Sequence, residues 1–328
     1  MARFELDYDP MASDPGRWGH SLGNLAELLF ACLDAAAPRS LVEVGAYAGD
    51  LTRMLVSWSA GAPLERIVSI DPNPQPELEA LAADDPGLEL VRQASVEALP
   101  NIPAADAYII DGDHNYYTVS QELALIGRAA GGRLPLLFCH DVCWPHARRD
   151  AYYAPEQIPP EHRQQTVNGA YVFPGVSGVH DGGLIYRCVA AEEGGGRNGV
   201  LTAIEDFVGE REQIRLAIIP AFFGLGVLWA RDAPYADALE QIVGPWDRNP
   251  ILARLEANRA LHLAAWQREG ARAAWHAEDG AQKDALLRKF LQSGTFALAV
   301  AVSRLRQGGK PAFSKDEIRE LLPEYRKH

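Results

Sequence analysis

The sequence carries two short polar groups whose residue types could do acid–base or metal chemistry: Asp111, Asp113 and His114 in the first, His140 and Asp141 in the second. Each group follows an apolar run of the chain. An imidazole changes its charge near neutral pH, and carboxylates are preferred ligands of hard divalent cations. The two groups are therefore the first candidates for proton transfer or metal binding.

The apolar runs before these groups are predicted to be strands of one sheet. Five such runs alternate with helical or loop segments, at residues 40–44, 66–70, 88–91, 107–110 and 134–139. Parallel neighbours require crossover connections, and the intervening segments can supply them. Two later runs, at 215–219 and 226–230, are expected to complete the sheet. The sequence therefore predicts an α/β fold with a doubly wound, mostly parallel seven-stranded sheet.

Polar residues and glycines stand at or just after the ends of these predicted strands. In an open parallel sheet, ligands bind beyond the carboxyl ends of the strands, so these residues should form one site. The members of this predicted site are Glu43, Gly45, Gly49, Asp71, Ser95, Asp111, Asp113, His114, His140 and Asp141.

The segment from Glu43 to Gly49 predicts a tight turn between a strand and a helix, against which a ligand can lie closely because glycine has no side chain. Its G-x-x-x-G spacing differs from the dinucleotide pattern G-x-G-x-x-G, which counts against NAD. Asp71 ends the second strand and is placed to accept hydrogen bonds from a ribose diol. A turn aspartate before Pro72 is the alternative interpretation of this residue.

In order and spacing these residues resemble the class I methyltransferases that use S-adenosylmethionine, over about residues 30–235. The resemblance is carried by Glu43 with its glycine turn, by Asp71, and by Ser95-Val-Glu97 at the position that faces adenine. It implies a Rossmann-like fold and S-adenosylmethionine as cofactor. The cofactor-binding residues that it implies are Glu43, Gly45, Ala46, Tyr47, Gly49, Asp71, Pro72, Ser95, Val96 and Asp111.

The segment Asp111-Gly-Asp-His114-Asn-Tyr and the later His140-Asp141 look like the broad methyltransferase family with a D-G-D-H-x-Y signature. In catechol-type and macrolide-sugar O-methyltransferases, a strand-end aspartate binds a divalent metal and a basic residue three positions later is the general base. The resemblance thus implies Asp111, His140 and Asp141 as metal ligands, and His114 with Asp113 as catalytic residues. Carboxylates suit Mg²⁺, whereas a histidine ligand favours Mn²⁺, Fe²⁺ or Zn²⁺, so the metal stays open.

Two regions outside the predicted strands are expected to complete the protein. Residues 144–199 combine aromatic side chains with Arg, His and Gln, which typically line sites for polyhydroxylated or anionic small molecules. We expect this insertion to be a substrate lid over a sugar or glycosylated metabolite, or else a surface loop packed on its own aromatics. Residues 236–328 have helical composition and are expected to be a helical extension that borders the site or builds a homodimer. The predicted methyltransferase domain is 1–235.

Composition limits the partners and the setting of the protein. The formal net charge of −13 disfavours nucleic acid, because an acidic surface repels phosphate. The sequence shows neither a run of about 20 apolar residues nor a secretory signal, which argues against a membrane. Its four cysteines lack C-x-x-C spacing, which fits a reducing compartment. We therefore expect a cytoplasmic enzyme that acts on a small molecule.

Three other interpretations remain open at this stage. The first is a metal-independent N- or O-methyltransferase with a histidine base, whose activity would survive chelation. The second is an iron-dependent hydroxylase of the cephalosporin-hydroxylase-like type, which would require oxygen. The third is a binding module whose function lies in the helical tail.

Overall fold

The computed structural model describes residues 22–180, 182–209, 211–309, 314–319 and 322. It divides into two compact units, Met1–Trp266 and Gln267–His328. Residues 1–21 of the predicted methyltransferase domain lie outside the described residues.

From Ala26 to the end of the fifth strand, the first unit alternates strands with helices. These elements are α1 (Ala26–Ala36), β1 (Ser40–Val44), α2 (Asp50–Ser59), β2 (Arg66–Ile70), α3 (Pro76–Asp84), β3 (Leu88–Val91), α4 (Ser95–Ala98), β4 (Ala107–Ile110), α5 (Tyr116–Ala129) and β5 (Leu136–His140). The elements that follow are β6 (Thr166–Val172), β7 (Leu184–Ala190), α6 (Val200–Val208), β8 (Ile214–Ile219), β9 (Leu225–Ala230), α7 (Ala236–Val243) and α8 (Pro250–Gln292), the last of which continues into the second unit.

Seven strands form one sheet in the order β3-β2-β1-β4-β5-β9-β8. The pairs among β1 to β5 are parallel, whereas β9 runs antiparallel to both β5 and β8. The mostly parallel seven-stranded fold predicted from the sequence is confirmed. The chain winds outward from β1 in one direction and from β4 in the other, so the switch point lies between these two strands. Ligands bind at such a point in open α/β sheets.

Each face of the sheet is covered by its own hydrophobic core. Strand residues alternate between the faces, so that Leu41 packs on one side and Val42 on the other. The first core includes Leu29 and Leu33 of α1, and the second includes Leu123 of α5. Burial on both faces explains why the strands appear in the sequence as continuous apolar runs.

The insertion contains an ordered hairpin that the sequence analysis did not predict. Strands β6 and β7 pair antiparallel as a separate two-stranded sheet. The buried carboxylate of Asp150 fixes the insertion to the main domain, because it accepts hydrogen bonds from the backbone N–H of Tyr116 at 2.7 Å and of Gly199 at 2.6 Å. Gly169 within β6, at φ +60°, interrupts the alternating pattern by which a strand is recognised.

The first unit extends beyond residue 235, where the sequence analysis placed the end of the methyltransferase domain. Helix α7 packs on α1 and buries Leu239 and Val243 in the first core. The start of α8 adds Leu263 and Ala264 to a smaller core beneath the insertion. The shift toward helical composition near residue 235 thus marks a change of secondary structure within one packed body.

The second unit comprises the end of α8, α9 (Gly294–Arg306) and α10 (Lys315–Arg319). Leu291, Phe296 and Leu322 form its small core. Within the described part of the chain, no single helix has the length and apolar character to cross a membrane; α8 and α9, bent by 64° at their junction, meet that test only as a pair. A homodimer built by this region stays a prediction.

Glu122 on α5 is a fully buried carboxyl group. One of its oxygens accepts a hydrogen bond from the hydroxyl of Ser95 at 2.5 Å, and the other has no partner among the described residues. Burial raises the pKa of Glu122 to about 8, because the ionised form loses its hydration. The folded protein therefore holds a proton here that the unfolded chain releases at much lower pH.

Replacing Glu122 with glutamine should flatten the pH dependence of stability. Between the ordinary carboxyl pKa of 4.5 and about 8, the folded state of the wild type binds the extra proton, so its free energy of unfolding falls as pH rises. The contribution of this one group approaches about 1.4 kcal/mol for each pH unit inside the window. Urea denaturation at several pH values measures it. Glu89→Gln, at an exposed position of β3, is the control; identical profiles for the wild type and Glu122→Gln would contradict the assignment.

Candidate active site

Three carboxyl groups meet at the carboxyl ends of the central strands. Glu43 lies in β1, Asp71 follows β2, and Asp111 follows β4. The carboxyl of Glu43 is buried and accepts hydrogen bonds from Thr52 at 2.6 Å and Ser69 at 2.7 Å. Burial raises the pKa of Glu43 to about 7, and the negative charges of Asp111 and Asp71 add to the effect. This edge of the sheet is therefore rich in negative charge and suited to a cationic ligand.

The turn after β1 lies against the backbone that follows β4. Gly45 has φ +83°, and a Cβ atom there would lie 2.2 Å from the carbonyl oxygen of Asp111. Tyr47, also left-handed at φ +46°, donates its backbone N–H to the Asp71 carboxylate at 2.7 Å. Ala46 between them is buried, and Gly49 at φ +80° precedes α2. The structure thus brings the predicted turn residues to the switch point of the sheet.

Asp71 has the turn role that the sequence analysis left open. Its second carboxylate oxygen accepts the backbone N–H of Asn73 at 2.8 Å. Each carboxylate oxygen can accept a further hydrogen bond, so these contacts leave capacity for a ligand. Pro72 beside it is exposed.

The predicted adenine residues begin helix α4. Ser95 is buried, and its hydroxyl is engaged by Glu122, while Val96 is half-buried. The hydroxyl of Ser95 is therefore directed toward α5 within the domain, which leaves the half-buried Val96 as the more accessible of the two.

His114 and Asp141 form a hydrogen-bonded pair. The Nδ1 atom of His114 lies 2.9 Å from the Asp141 carboxylate, and its Nε2 atom lies 3.1 Å from the hydroxyl of Tyr153. Because the carboxylate only accepts, Nδ1 carries a proton, and in the neutral ring Nε2 accepts from Tyr153. Burial opposes the charged form of His114, but the nearby carboxylates outweigh it and raise its pKa. This arrangement suits a general base.

His140 is held differently, with both ring nitrogens engaged. Nδ1 lies 2.9 Å from Asp111, and Nε2 lies 2.8 Å from the carbonyl oxygen of Phe222. Both partners accept hydrogen bonds, so both nitrogens donate and the ring is an imidazolium. Although burial opposes this charge, Asp111 and Asp141 raise the pKa of His140 to about 10.

The structure groups a set of potential metal ligands that differs in one residue from the predicted set of Asp111, His140 and Asp141. His140 offers no free lone pair, because a donor nitrogen cannot bind a metal. His114 takes its place: one ligand atom each from Asp111, His114 and Asp141 lie within 4.8 Å of one another. Among the described residues, these three form a group of His, Cys, Asp or Glu side chains close enough to hold one metal ion.

Asp113, predicted to be catalytic, is used to build the start of α5. Its carboxylate accepts hydrogen bonds from the side chains of Asn115 at 2.5 Å and Thr118 at 3.0 Å, and from the backbone N–H of His114 at 3.2 Å. These contacts fix the backbone of His114, so the structure gives Asp113 a supporting role.

The insertion adds a third histidine beside His114, and a tyrosine that contacts this third histidine. The ring of His146 stacks on His114 with centroids 4.8 Å apart, and its edge contacts Tyr186 of β7. Burial lowers the pKa of His146 to about 3, so this ring is neutral. The sequence analysis placed neither residue: His146 lies within the insertion, whose path the sequence does not predict, and Tyr186 lies in the unpredicted hairpin.

Comparison with protein-family models gives one match. Residues 42–142 match the family model of a methyltransferase domain, a segment that contains both polar groups. No curated protein matches the chain significantly. The family match and the seven-stranded fold confirm the predicted enzyme class, an S-adenosylmethionine-dependent methyltransferase, and favour it over a hydroxylase or a binding module.

Several solved structures are similar to this chain at low identity. A Podospora anserina methyltransferase bound to SAH is 14% identical, with 68% of this chain and 84% of that one covered and a TM-score of 0.39. A putative caffeoyl-CoA O-methyltransferase from Staphylococcus aureus is 10% identical, with 67% and 97% covered and a TM-score of 0.37. The 1,6-didemethyltoxoflavin-N1-methyltransferase of Burkholderia thailandensis is 12% identical, with 70% and 92% covered and a TM-score of 0.34.

Alanine at Gly45 should destabilise the protein strongly. The new Cβ would meet the Asp111 backbone at 2.2 Å, and a left-handed conformation costs a non-glycine residue about 1 to 3 kcal/mol. Because backbone atoms cannot move aside as a side chain can, we expect a loss of at least about 2 kcal/mol in urea denaturation. Gly61→Ala, whose Cβ would come no closer than 4.0 Å to a neighbour, should change stability by less than about 0.5 kcal/mol. Equal stabilities of the two variants would refute the close approach.

Proposed function

We propose that this protein transfers a methyl group from S-adenosylmethionine to a hydroxyl oxygen of a polyhydroxylated small molecule, such as a sugar or a glycosylated metabolite. The observation that carries the proposal is the pair formed by His114 and Asp141. The Nε2 atom of His114, which does not contact Asp141, already accepts a hydrogen bond from a hydroxyl group, that of Tyr153, at 3.1 Å. A substrate hydroxyl placed beside Tyr153 would meet the same nitrogen.

The residues at the sheet edge fit S-adenosylmethionine. This cofactor has a positive ammonium group, a positive sulfonium and a ribose diol that donates hydrogen bonds. Glu43, Asp71 and Asp111 supply acceptors and negative charge there. Burial raises the pKa of Glu43, with a further contribution from the charges of Asp111 and Asp71, and a bound cation would oppose this rise. Gly45 and Gly49 keep side chains out of the turn.

For this reaction the protein must orient the acceptor hydroxyl and remove its proton. When bound, S-adenosylmethionine supplies an electrophilic methyl group. His114 takes the proton from the acceptor hydroxyl at Nε2, and Asp141 stabilises the resulting imidazolium through Nδ1. The stacked ring of His146 helps to fix the plane of His114.

Exposed aromatic side chains near the base support a polyhydroxylated acceptor. Tyr153 is 65% exposed and contacts the ring of His114, and Tyr47 in the turn is 67% exposed. Flat apolar rings beside hydrogen-bonding groups suit a sugar, whose faces are apolar and whose edges carry hydroxyls.

The free thiols of all four cysteines support the expected cytoplasmic setting.

A divalent metal at Asp111, His114 and Asp141 is the second candidate. Two carboxylates and an imidazole with ligand atoms within 4.8 Å fit Mn²⁺ or Mg²⁺. A bound metal supplies a Lewis acid that lowers the pKa of an acceptor hydroxyl. His114 cannot bind a metal through Nδ1 and keep its hydrogen bond to Asp141, so the two candidates assign it different roles. Activity that survives a chelator would favour the first candidate.

Asp71→Ala should weaken the binding of S-adenosylmethionine by about 1 to 3 kcal/mol, the range for loss of a buried hydrogen bond. Calorimetric titration of the purified protein measures this loss. Because Asp71 also holds the backbone of Tyr47, the thermal midpoint of the variant must be measured with the affinity. An unchanged affinity for S-adenosylmethionine would show that Asp71 does not bind the cofactor.

His114→Gln should lower turnover by about 10² to 10⁴-fold while leaving S-adenosylmethionine affinity within about twofold, because the residue acts on the acceptor. Formation of S-adenosylhomocysteine with an acceptor selected from a panel of sugars and glycosides measures it. His162→Gln is the matched control, since that insertion histidine stacks on Tyr117 instead. A loss below tenfold would rule out His114 as the base.

A further inference from the structure

The loop between β8 and β9 has an unusual backbone held by a carboxylate from outside the sheet. Phe222 and Phe223 are both left-handed, at φ +50° and +68°. Their backbone N–H groups donate to the two oxygens of Glu256 on α8, at 3.0 and 2.8 Å. Left-handed non-glycine residues cost about 1 to 3 kcal/mol each, so such a loop persists only where its surroundings hold it. Glu256 provides that hold.

Arg259 completes this clamp one helical turn later. It donates to both oxygens of Glu256, each at 2.7 Å, and its guanidinium lies 4.5 Å from the ring centroid of Phe223. The side chains of Glu256 and Arg259 are only 8% and 11% exposed. A buried ion pair is a weak source of stability, because desolvation offsets most of its attraction. Stability alone is thus a poor explanation for charge at this place.

The other side of the same loop contacts the active site. The carbonyl oxygen of Phe222 accepts the Nε2–H of His140, and that of Phe223 accepts the backbone N–H of Cys143 at 2.6 Å. Gly224 packs so closely that a Cβ atom there would lie 2.5 Å from the sulfur of Cys143. The loop is therefore wedged between α8 and the segment that follows β5.

We propose that Glu256 is a positioning residue of the active site: by fixing the loop, it holds the Phe222 carbonyl against His140, and His140 in turn orients Asp111. The last contact is the 2.9 Å hydrogen bond from Nδ1 of His140 to Asp111. The part of this inference that concerns turnover rests on the proposed function. The part that concerns His140 is independent of it.

The test compares hydrogen exchange at His140 between variants of the full chain. Glu256→Gln places an NH₂ group against one backbone N–H and removes the ion pair with Arg259. In protein with ¹⁵N-labelled histidine, the Nε2–H signal of His140 is identified by its loss in His140→Gln. We expect this proton to exchange at least about tenfold faster with solvent in Glu256→Gln, at unchanged far-ultraviolet circular dichroism.

Glu240→Gln is the matched control, because Glu240 also lies beyond residue 235 and pairs with an arginine, Arg215, at 3.0 Å. It should leave the exchange of His140 within twofold of wild type. Arg259→Lys is a milder variant that keeps a cation beside Glu256, and it should accelerate the exchange of the His140 proton by a smaller factor. If Glu256→Gln does not fold, Arg259→Lys replaces it in the test. Exchange within twofold of wild type in the folded variant, or equal acceleration in Glu240→Gln, overturns the proposal.

Binding and turnover then separate this inference from the proposed function. Displacement of active-site groups by about 1 Å can cost about 10²-fold in rate, so we expect turnover of Glu256→Gln to fall at least tenfold. If wild-type protein fails to bind S-adenosylmethionine, the proposed function is wrong, while faster exchange at His140 still supports the clamp. If the wild type is active and Glu256→Gln exchanges faster but turns over normally, Glu256 does not position the site.

Discussion

The charge on His140 is the constraint on which the rest of the site depends. Asp111 and Asp141 lie 2.9 and 3.9 Å from its Nδ1 atom, in surroundings that are largely closed to water. Buried carboxylates take up protons unless a cation lies close to them. His114 and, after it, His140 outweigh the effect of burial and hold the pKa of Asp141 well below its usual range. A neutral residue at 140 would leave Asp141 a poorer partner for His114, so the proposed base depends on a residue that does not itself face the acceptor.

The fold meets this constraint by bringing distant backbone to one edge of the sheet. The carbonyl that completes the hydrogen bonding of His140 comes from Phe222, after β8, and its strained loop is closed by Glu256 from α8. The turn at Gly45 reaches the same edge from β1 and leaves no space for a side chain against Asp111. The first strand, the last strand pair and a helix beyond the sheet thus all contribute to the site, together with the ends of β2, β4 and β5. The compact unit that extends to residue 266 includes this part of the helix.

The parts that the sequence could predict are those with a local signal. Buried parallel strands leave continuous apolar runs, and the residues after them must meet at one edge, so the sheet and the strand-end group, from Glu43 to Asp141, could be inferred. The hydrogen bonds of His140 could not, because its second partner is a backbone carbonyl 82 residues away. The same holds for Glu256, which looks in the sequence like any surface glutamate of a helix. The hairpin of the insertion was hidden because glycine and polar residues break its alternation.

Three histidines lie together in this site, and their surroundings give each a different chemistry. His140 is fixed as a cation, because carboxylates and a carbonyl bind both of its nitrogens. His146 is fixed as a neutral ring, since burial without a carboxylate partner lowers its pKa to about 3. Neither can exchange a proton with a ligand near neutral pH. His114 combines a carboxylate on one nitrogen with an exposed hydroxyl on the other, so it can both gain a proton from a ligand and be stabilised when charged. The environment, rather than the residue type, thus selects His114 for proton transfer.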